Sequence, residues 1–395
     1  MNPQPYLNNF FWLFLTYLSA PYLYFRIFLL ARRSPKDERG KKNVPAKILV
    51  IQVAKIGDLV CTTPVFREIK KKFPNSYLAA LVIGKTKDIL TNNPRLEEII
   101  SFDDFPGIVG KIKLIKKLKK EKYDWVFSLL PDSFNNIIAF WSLAPGRIVT
   151  TYKDAGEITW LTSIFNNHCL EYKRGTSAPK HYLNLLKFID IKEYSEKREV
   201  FIKPAEEKNA LDYLRLQDLD NNDLLIGMSV TAGVKFSEWE PSKFAALADQ
   251  LIEKLKAKII FVGSAADSFK VTEVQGMMEN DSINSCGQFS LRELPALMKN
   301  LKLFVSVDTG PLYIADALEV PVVDIMGPSD MGEQCPIGSR SKIIQKDIHC
   351  SPCLFIFLGI RFCKEEHLKC LKETTVEEVF EAAQNLIKTT PYEKH

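Results

Sequence analysis

Short apolar runs alternate along the chain with segments whose apolar residues recur at helical spacing. The runs Lys47-Ile48-Leu49-Val50-Ile51-Gln52-Val53, Tyr123-Asp124-Trp125-Val126-Phe127-Ser128-Leu129-Leu130 and Leu224-Leu225-Ile226-Gly227-Met228-Ser229-Val230 read as buried strands. So do Leu301-Lys302-Leu303-Phe304-Val305-Ser306-Val307 and the run opening at Val320-Pro321-Val322-Val323. Between them, residues 62–73 set Val65, Phe66, Ile69 and Phe73 on one helix face and Arg67, Glu68, Lys70 and Lys71 on the other. Amphipathic helices are also predicted after Pro311, over 181–189 and over 376–387. Nearly continuous apolar strands alternating with such helices predict parallel sheets covered on both faces, an α/β fold.

Two strand-to-helix turns stand out. Asp308-Thr309-Gly310-Pro311 leads from a strand into a helix, and Lys55-Ile56-Gly57-Asp58 does the same far upstream. The free N–H groups of a helix start, with the positive end of its dipole, form a ready anion site. In open α/β sheets ligands bind at the carboxyl ends of strands, where these turns lie. One such turn is ordinary; two suggest a donor and an acceptor held across a cleft. Asp58 is the carboxylate of the upstream turn, and it can either take a proton from a substrate or cap the following helix.

At these residues the chain resembles the ADP-heptose:lipopolysaccharide heptosyltransferases, glycosyltransferase family 9. The resemblance is carried by Ile48-Leu49-Val50-Ile51 through Ile56-Gly57-Asp58, then Thr63-Pro64 and Phe73-Pro74. It continues through Pro131-Asp132-Ser133-Phe134, Arg147, His181-Tyr182, Trp239 with Pro241, Asp308-Thr309-Gly310-Pro311 and Gly327-Pro328-Ser329-Asp330. It implies the GT-B arrangement: two Rossmann-like domains with parallel sheets facing across a cleft, plus, here, an N-terminal hydrophobic helix. It further implies inverting transfer of a heptose from an ADP-sugar to a lipid-linked core oligosaccharide, with no metal and no cofactor. Asp58 is then the candidate general base. Asp308, Thr309, Gly310, Pro311, Tyr313, Lys235 and Asp267 become the donor-binding candidates, and Gly57, Ser133 and Arg147 the acceptor-binding ones. Arg147 suits a phosphate or carboxylate on the acceptor, with the pinning of a loop as the alternative.

The chain departs from the family pattern at the diphosphate. Ser237 occupies the place of the family's lysine before Trp239, and the nearest lysine, Lys235, comes two residues earlier. Tyr313 replaces the usual histidine; it can donate a hydrogen bond but carries no positive charge near neutral pH. The departures leave two alternatives open: a family member using another nucleotide sugar for a different cell-surface glycan, and a membrane-tethered binding protein without turnover. Release of free sugar without acceptor would instead mark a hydrolase.

With 395 residues, 46% hydrophobic and 26% charged, the chain is expected to form two globular domains. Residues 1–43 are a hydrophobic membrane-associating segment and basic linker, 44–210 the acceptor domain, 211–375 the nucleotide-sugar domain, and 376–395 a C-terminal helix packing back on the first domain. A net charge of +5 does not call for nucleic acid.

From Phe10 to Leu30 the chain is almost wholly apolar or aromatic, long enough to cross a bilayer, yet interrupted by Pro21 and Arg26. Trp12, Tyr17, Tyr22 and Tyr24 suit an interface, and Arg32, Arg33, Lys36, Arg39, Lys41 and Lys42 follow. A helix lying in the interface on the cytoplasmic face of the inner membrane is the reading adopted; one bent span and a helix docked on the protein are the alternatives. A lysine run over 111–122 reads as a solvated helix face that can also favour anionic lipid or a phosphorylated acceptor.

Four of the eight cysteines fall late, at Cys350, Cys353, Cys363 and Cys370. One pair has zinc-like spacing and the other does not, so reduced structural cysteines are expected, with structural zinc as the alternative.

Overall fold

The computed structural model describes residues 4–33, 45–220, 222–358 and 362–389. The chain divides into two units. The first takes the chain to Lys55, Thr62–Lys87 and Asn93–Glu196; the second takes Ile56–Cys61, Asp88–Asn92 and the chain from Lys197 on.

The first unit is built on one parallel sheet of β1 (Lys47–Gln52), β2 (Tyr77–Val82), β3 (Glu98–Ser101), β4 (Trp125–Ser128), β5 (Gly146–Thr151) and β6 (His168–Glu171), in the order β3-β2-β1-β4-β5-β6. Ile48, Leu49, Val50 and Ile51 are fully buried, as a strand covered on both faces requires. Its helices are α1 (Gln4–Arg33), α2 (Ile56–Lys72), α3 (Gly107–Glu121), α4 (Ser133–Trp141), α5 (Glu157–Ser163) and α6 (Ala178–Asn184). The first residues of α2, Ile56–Cys61, are grouped with the second unit.

Helix α1 runs unbroken through Pro21. Trp12, Leu13, Thr16, Ala20, Leu23 and Ile27 form one buried stripe, packed against Ile137 and Phe140 of α4 and Phe165 just after α5. The buried Thr16 hydroxyl accepts from Trp141 Nε1 at 3.0 Å and donates to the Trp12 carbonyl at 2.7 Å. One face of this helix is therefore docked on the protein, while Phe10, Phe14, Leu18, Tyr22 and Phe25 stand exposed on the rest of it. Lys36, Arg39, Lys41 and Lys42, and the side chains of Arg32 and Arg33, lie outside the described residues.

The second unit repeats the plan. Its sheet holds β7 (Leu225–Ser229), β8 (Lys258–Phe261), β9 (Ile283–Asn284), β10 (Leu303–Val307), β11 (Val322–Ile325) and β12 (Ser341–Ile344), in the order β12-β11-β10-β7-β8-β9, again all parallel. Its helices are α7 (Pro204–Leu216), α8 (Pro241–Leu255), α9 (Ser268–Gln275), α10 (Leu294–Met298), α11 (Gly310–Ala317), α12 (Lys369–Lys372) and α13 (Val376–Thr389).

Two boundaries differ from expectation. The division falls after Glu196 rather than after residue 210, because α7 belongs to the second unit. There it packs on α10, and Glu206 and Glu207 pair with Arg292 and Lys299. The final helix is grouped with the second unit. Val379, Phe380, Ala382 and Ala383 are buried in the core of the second unit, and α13 lies against α8 and the strands β10 to β12. Residues 390–395 of that expected segment lie outside the described residues.

Candidate functional site

In both sheets the strand order reverses direction between two neighbours, β1 and β4 in one, β7 and β10 in the other. The chain leaves such neighbours toward opposite faces, so their carboxyl ends open a crevice. The loops after β7 and β10 carry Lys235 and Asp308-Thr309-Gly310, so the donor candidates gather at the switch point of the second unit.

The start of α2 belongs to that same unit and meets the start of α11. A Cβ added at Gly57 would lie 2.9 Å from the Tyr313 ring, and one added at Gly310 would lie 2.9 Å from Ile56 Cβ. Both glycines are set by this close approach of two helix starts. Asp58 is half-buried in the first turn of α2, where its charge favours the helix dipole. The N-cap itself is Lys55, which makes no side-chain cap bond, and Asp58 is the acidic residue of that first turn.

Asp308 is a hub. Its Oδ1 accepts from the Tyr313 hydroxyl at 2.8 Å and its Oδ2 from the Ser329 hydroxyl at 2.6 Å. That fixes the turn. Thr309 is the N-cap of α11 with extended backbone, and Pro311 sits in the first turn, where its missing N–H had no partner. Burial, and then the charge of Asp308, push the Tyr313 phenol well above its ordinary pKa, so it stays a neutral donor.

Beneath this turn lies Arg198, which the sequence reading did not single out. Its guanidinium is buried, 5.0 Å from the Tyr313 ring centroid. It donates to Asp316 and to the Cys335 carbonyl. Burial opposes its charge, but Cys61, Asp316 and Tyr313 more than offset that and raise its pKa. The thiol of Cys61, in α2, is pushed up to about 12, chiefly by burial. Arg198 sits in a charged stretch with no motif, so only the fold reveals it.

Asp324 on β11 is fully buried, and neither carboxylate oxygen has a hydrogen-bond partner among the described residues. Burial and then Asp308 raise its pKa well above the ordinary range, so it is held as the neutral acid. It lay inside a predicted strand with nothing to mark it.

The other donor candidates fall as follows. Lys235 is exposed in a short turn after β7, while Ser237, in the family's lysine position, is buried with its hydroxyl unpartnered among the described residues. Asp267 follows β8 and accepts from the Ser264 N–H and hydroxyl at 2.7 and 2.6 Å, which holds the loop after Gly263. Trp239 is buried and donates to the Thr374 carbonyl, a structural role.

At the switch point of the first unit, Trp12, Val53, Phe102, Ile108, Lys111, Leu130, Asp132 and Phe134 are among the residues lining a pocket of about 390 Å³. Its walls are aromatic: Trp12 and Phe102 meet Phe134 edge-on at 5.5 and 6.0 Å between centroids. Lys111 Nζ lies 3.1 Å from the Phe102 ring centroid, and burial lowers its pKa to about 8 against the opposing pull of Asp103. Asp132 caps α4 by accepting from Asn135 N at 2.8 Å; burial raises its pKa. Ser133 is the buried first residue of α4, beside this pocket.

Arg147 is not available to an acceptor. It is buried in β5, and its guanidinium donates to the carbonyls of Ala144, Pro145 and Phe165. The loop-pinning alternative is what the structure shows, because a side chain growing inward from a central strand meets carbonyls before solvent. His181 is likewise structural, 3.1 Å from the Thr150 hydroxyl, with burial lowering its pKa to about 3.

All eight cysteines are free thiols. Burial first, and then the neighbouring late cysteines, raise the pKa of Cys353 and Cys370, so the late four share one neighbourhood. Among the described residues no group of three or more His, Cys, Asp or Glu is placed to hold a metal ion.

The model of Glycosyltransferase family 9 (heptosyltransferase) matches residues 111–356. Lipopolysaccharide heptosyltransferase 3 of Escherichia coli K12 is 26% identical over 282 residues, covering 69% of this chain and 80% of that protein. The crystal structure of a family 9 glycosyltransferase from Veillonella parvula superposes with a TM-score of 0.76 at 23% identity, over 87% of this chain and 98% of its own. The E. coli ADP-heptose lps heptosyltransferase II gives 0.69 at 18% identity, over 87% and 98%. With the family model matching well over half of the sequence, this chain belongs to glycosyltransferase family 9, the heptosyltransferases of lipopolysaccharide biosynthesis.

Proposed function

We propose that this enzyme transfers a heptose from ADP-heptose to a lipid-linked core oligosaccharide, with inversion at the anomeric carbon, on the cytoplasmic face of the inner membrane. The acceptor hydroxyl attacks the anomeric carbon and gives its proton to Asp58. The bond from that carbon to the diphosphate oxygen breaks, and ADP leaves with its charge held at the N-terminus of α11 by Thr309 and Gly310. The acceptor enters through the aromatic pocket of the first unit. The observation that carries this reading is the close approach of the first turn of α2 to the first turn of α11, at Gly57 with Tyr313 and Gly310 with Ile56; Asp58 follows the first of these glycines and Thr309 precedes the second. A family relative named for ADP-heptose supports the donor.

Replacing Asp58 by Ala should lower transfer by about 10²–10⁴-fold while ADP affinity stays within about threefold. Unchanged turnover would remove Asp58 as the base.

A second reading, another nucleotide sugar as donor, rests on the buried Ser237 and on Tyr313, neither of which supplies the positive charge usual at this diphosphate site. Equilibrium binding of ADP, UDP and GDP, with and without a chelator, separates the two. ADP preferred and chelator-insensitive supports the first reading, and a preference for UDP or GDP supports the second.

A further inference from the structure

Most of the large apolar side chains that stand exposed among the described residues lie on three elements of the first unit. On α1 the outward side presents Phe10, Phe14, Leu18, Tyr22, Phe25 and Leu29. The first turns of α3 add Ile108, Val109 and Ile112, and α5 adds Trp160 with Ile164 just beyond it. These are neighbours. Trp12 of α1 packs with Ile115 of α3 and lines one pocket with Ile108. On the other side, α1 contacts α5, and Tyr17 lies 4.8 Å from the Phe165 ring. An apolar face of this extent on a folded unit marks an interaction surface.

Its chemistry selects the partner. The face is rich in Tyr, Trp and Phe, side chains with apolar bodies that favour a membrane interface. Residues 4–33 contain no Asp or Glu. Arg26 sits over Tyr22, donating to its hydroxyl at 2.9 Å, and its charge is felt by Lys119 of α3. Lys113, Lys116 and Lys120 are exposed along α3. A basic rim around an aromatic face complements anionic headgroups around acyl chains, whereas a second copy of the chain would bring two basic rims together. The buried stripe from Trp12 to Ile27 and the Thr16–Trp141 hydrogen bond hold α1 against α4 and α5. Crossing a bilayer would require stripping that face from the protein.

We propose that α1 lies in the plane of an anionic bilayer as a fixed part of the first unit, with the start of α3 and the outer side of α5 inserting beside it. This rests on the membrane-surface reading above and extends it beyond α1. Its consequence is geometric: Trp12 and Ile108 belong both to the aromatic pocket and to the elements of this face, so a lipid-linked acceptor reaches the pocket from the bilayer plane.

The test uses the full chain and vesicles of phosphatidylcholine and phosphatidylglycerol, 3:1, in a sedimentation assay. The double variant Val109→Ser with Trp160→Ser, both exposed and outside the pocket lining, should bind vesicles about tenfold or more weakly than wild type. Its melting temperature and its transfer to a water-soluble acceptor should be unchanged. Replacing Lys113, Lys116 and Lys120 by Glu should remove the preference for anionic over neutral vesicles. Acyl-chain-brominated lipid should quench a component of the tryptophan emission that is missing in Trp160→Phe. Wild-type vesicle binding by the double variant, or emission from Trp160 unquenched in the bound protein, overturns the proposal. So does finding the two ends of α1 on opposite sides of sealed vesicles. Vesicle binding, melting and tryptophan quenching need no turnover, so failure of the transferase reading would leave them interpretable.

Discussion

Around Tyr313 one side chain answers two questions that the sequence left open. The position lacks the family's histidine, and its hydroxyl instead ties Asp308 while its ring rests on Arg198. Arg198 brings a cation close to the donor turn, but its charge is matched by Asp316, so it orders the turn rather than adding free positive charge. Arg198→Met would leave the Asp316 carboxylate buried without its partner and should destabilise the second unit by about 3–5 kcal/mol in chemical denaturation. The Arg198→Met, Asp316→Leu double variant should recover most of that loss.

Asp324 predicts a pH dependence. A carboxyl whose pKa is raised by folding binds its proton more tightly when folded than when unfolded. Its contribution is fully present below the ordinary value of 3.8 and is lost as pH rises above it. Asp324→Asn, which keeps the shape without the proton, should therefore melt higher than wild type at pH 7 to 8, by roughly 1–3 kcal/mol, and lose that advantage toward pH 4. Equal melting at both pH values would refute the neutral-acid assignment. At this scale the sequence was readable where chemistry is local. The glycines, Thr309 and Pro311 follow from a strand-to-helix turn. Arg198, Asp324 and the true setting of Arg147 depend on which residues the sheet brings together, and no local spacing encodes that.

Among the elements, α1 shows how composition can mislead when only one face is counted. Its apolar and aromatic residues satisfy the length of a membrane span, yet one face of the helix is committed to α4 and α5. The buried stripe at Trp12, Thr16, Ala20, Leu23 and Ile27 has helical spacing, but on a helix apolar all round the stripe has no polar side to contrast with. Trp12→Ala should destabilise the first unit by about 3 kcal/mol or more, with loss of the packing against Phe134 and Ile137. Thr16→Val, which removes the acceptor of Trp141 and the hydroxyl bond to the Trp12 carbonyl, should lose about 1 kcal/mol. If neither substitution changes the denaturation midpoint, α1 is not docked. Helix α13 carries the opposite lesson. Its amphipathic period was legible, but its destination was not, because an apolar stripe fits any core that is open to it.

At the scale of the whole chain, the two sheets share one strand order and each sets its loops at a switch point, which the alternation of strands and helices foretold as class and could not foretell as order. The chain is a family 9 glycosyltransferase in which Ser237 is buried and Tyr313 is a neutral hydrogen-bond donor to Asp308. The most direct test is the release of ADP from ADP-heptose by the purified enzyme, with and without a lipid-linked core oligosaccharide. The account predicts release that requires the acceptor, survives a chelator and disappears in Asp58→Ala. Release that ignores the acceptor, or turnover of a UDP- or GDP-sugar in place of ADP-heptose, would contradict it.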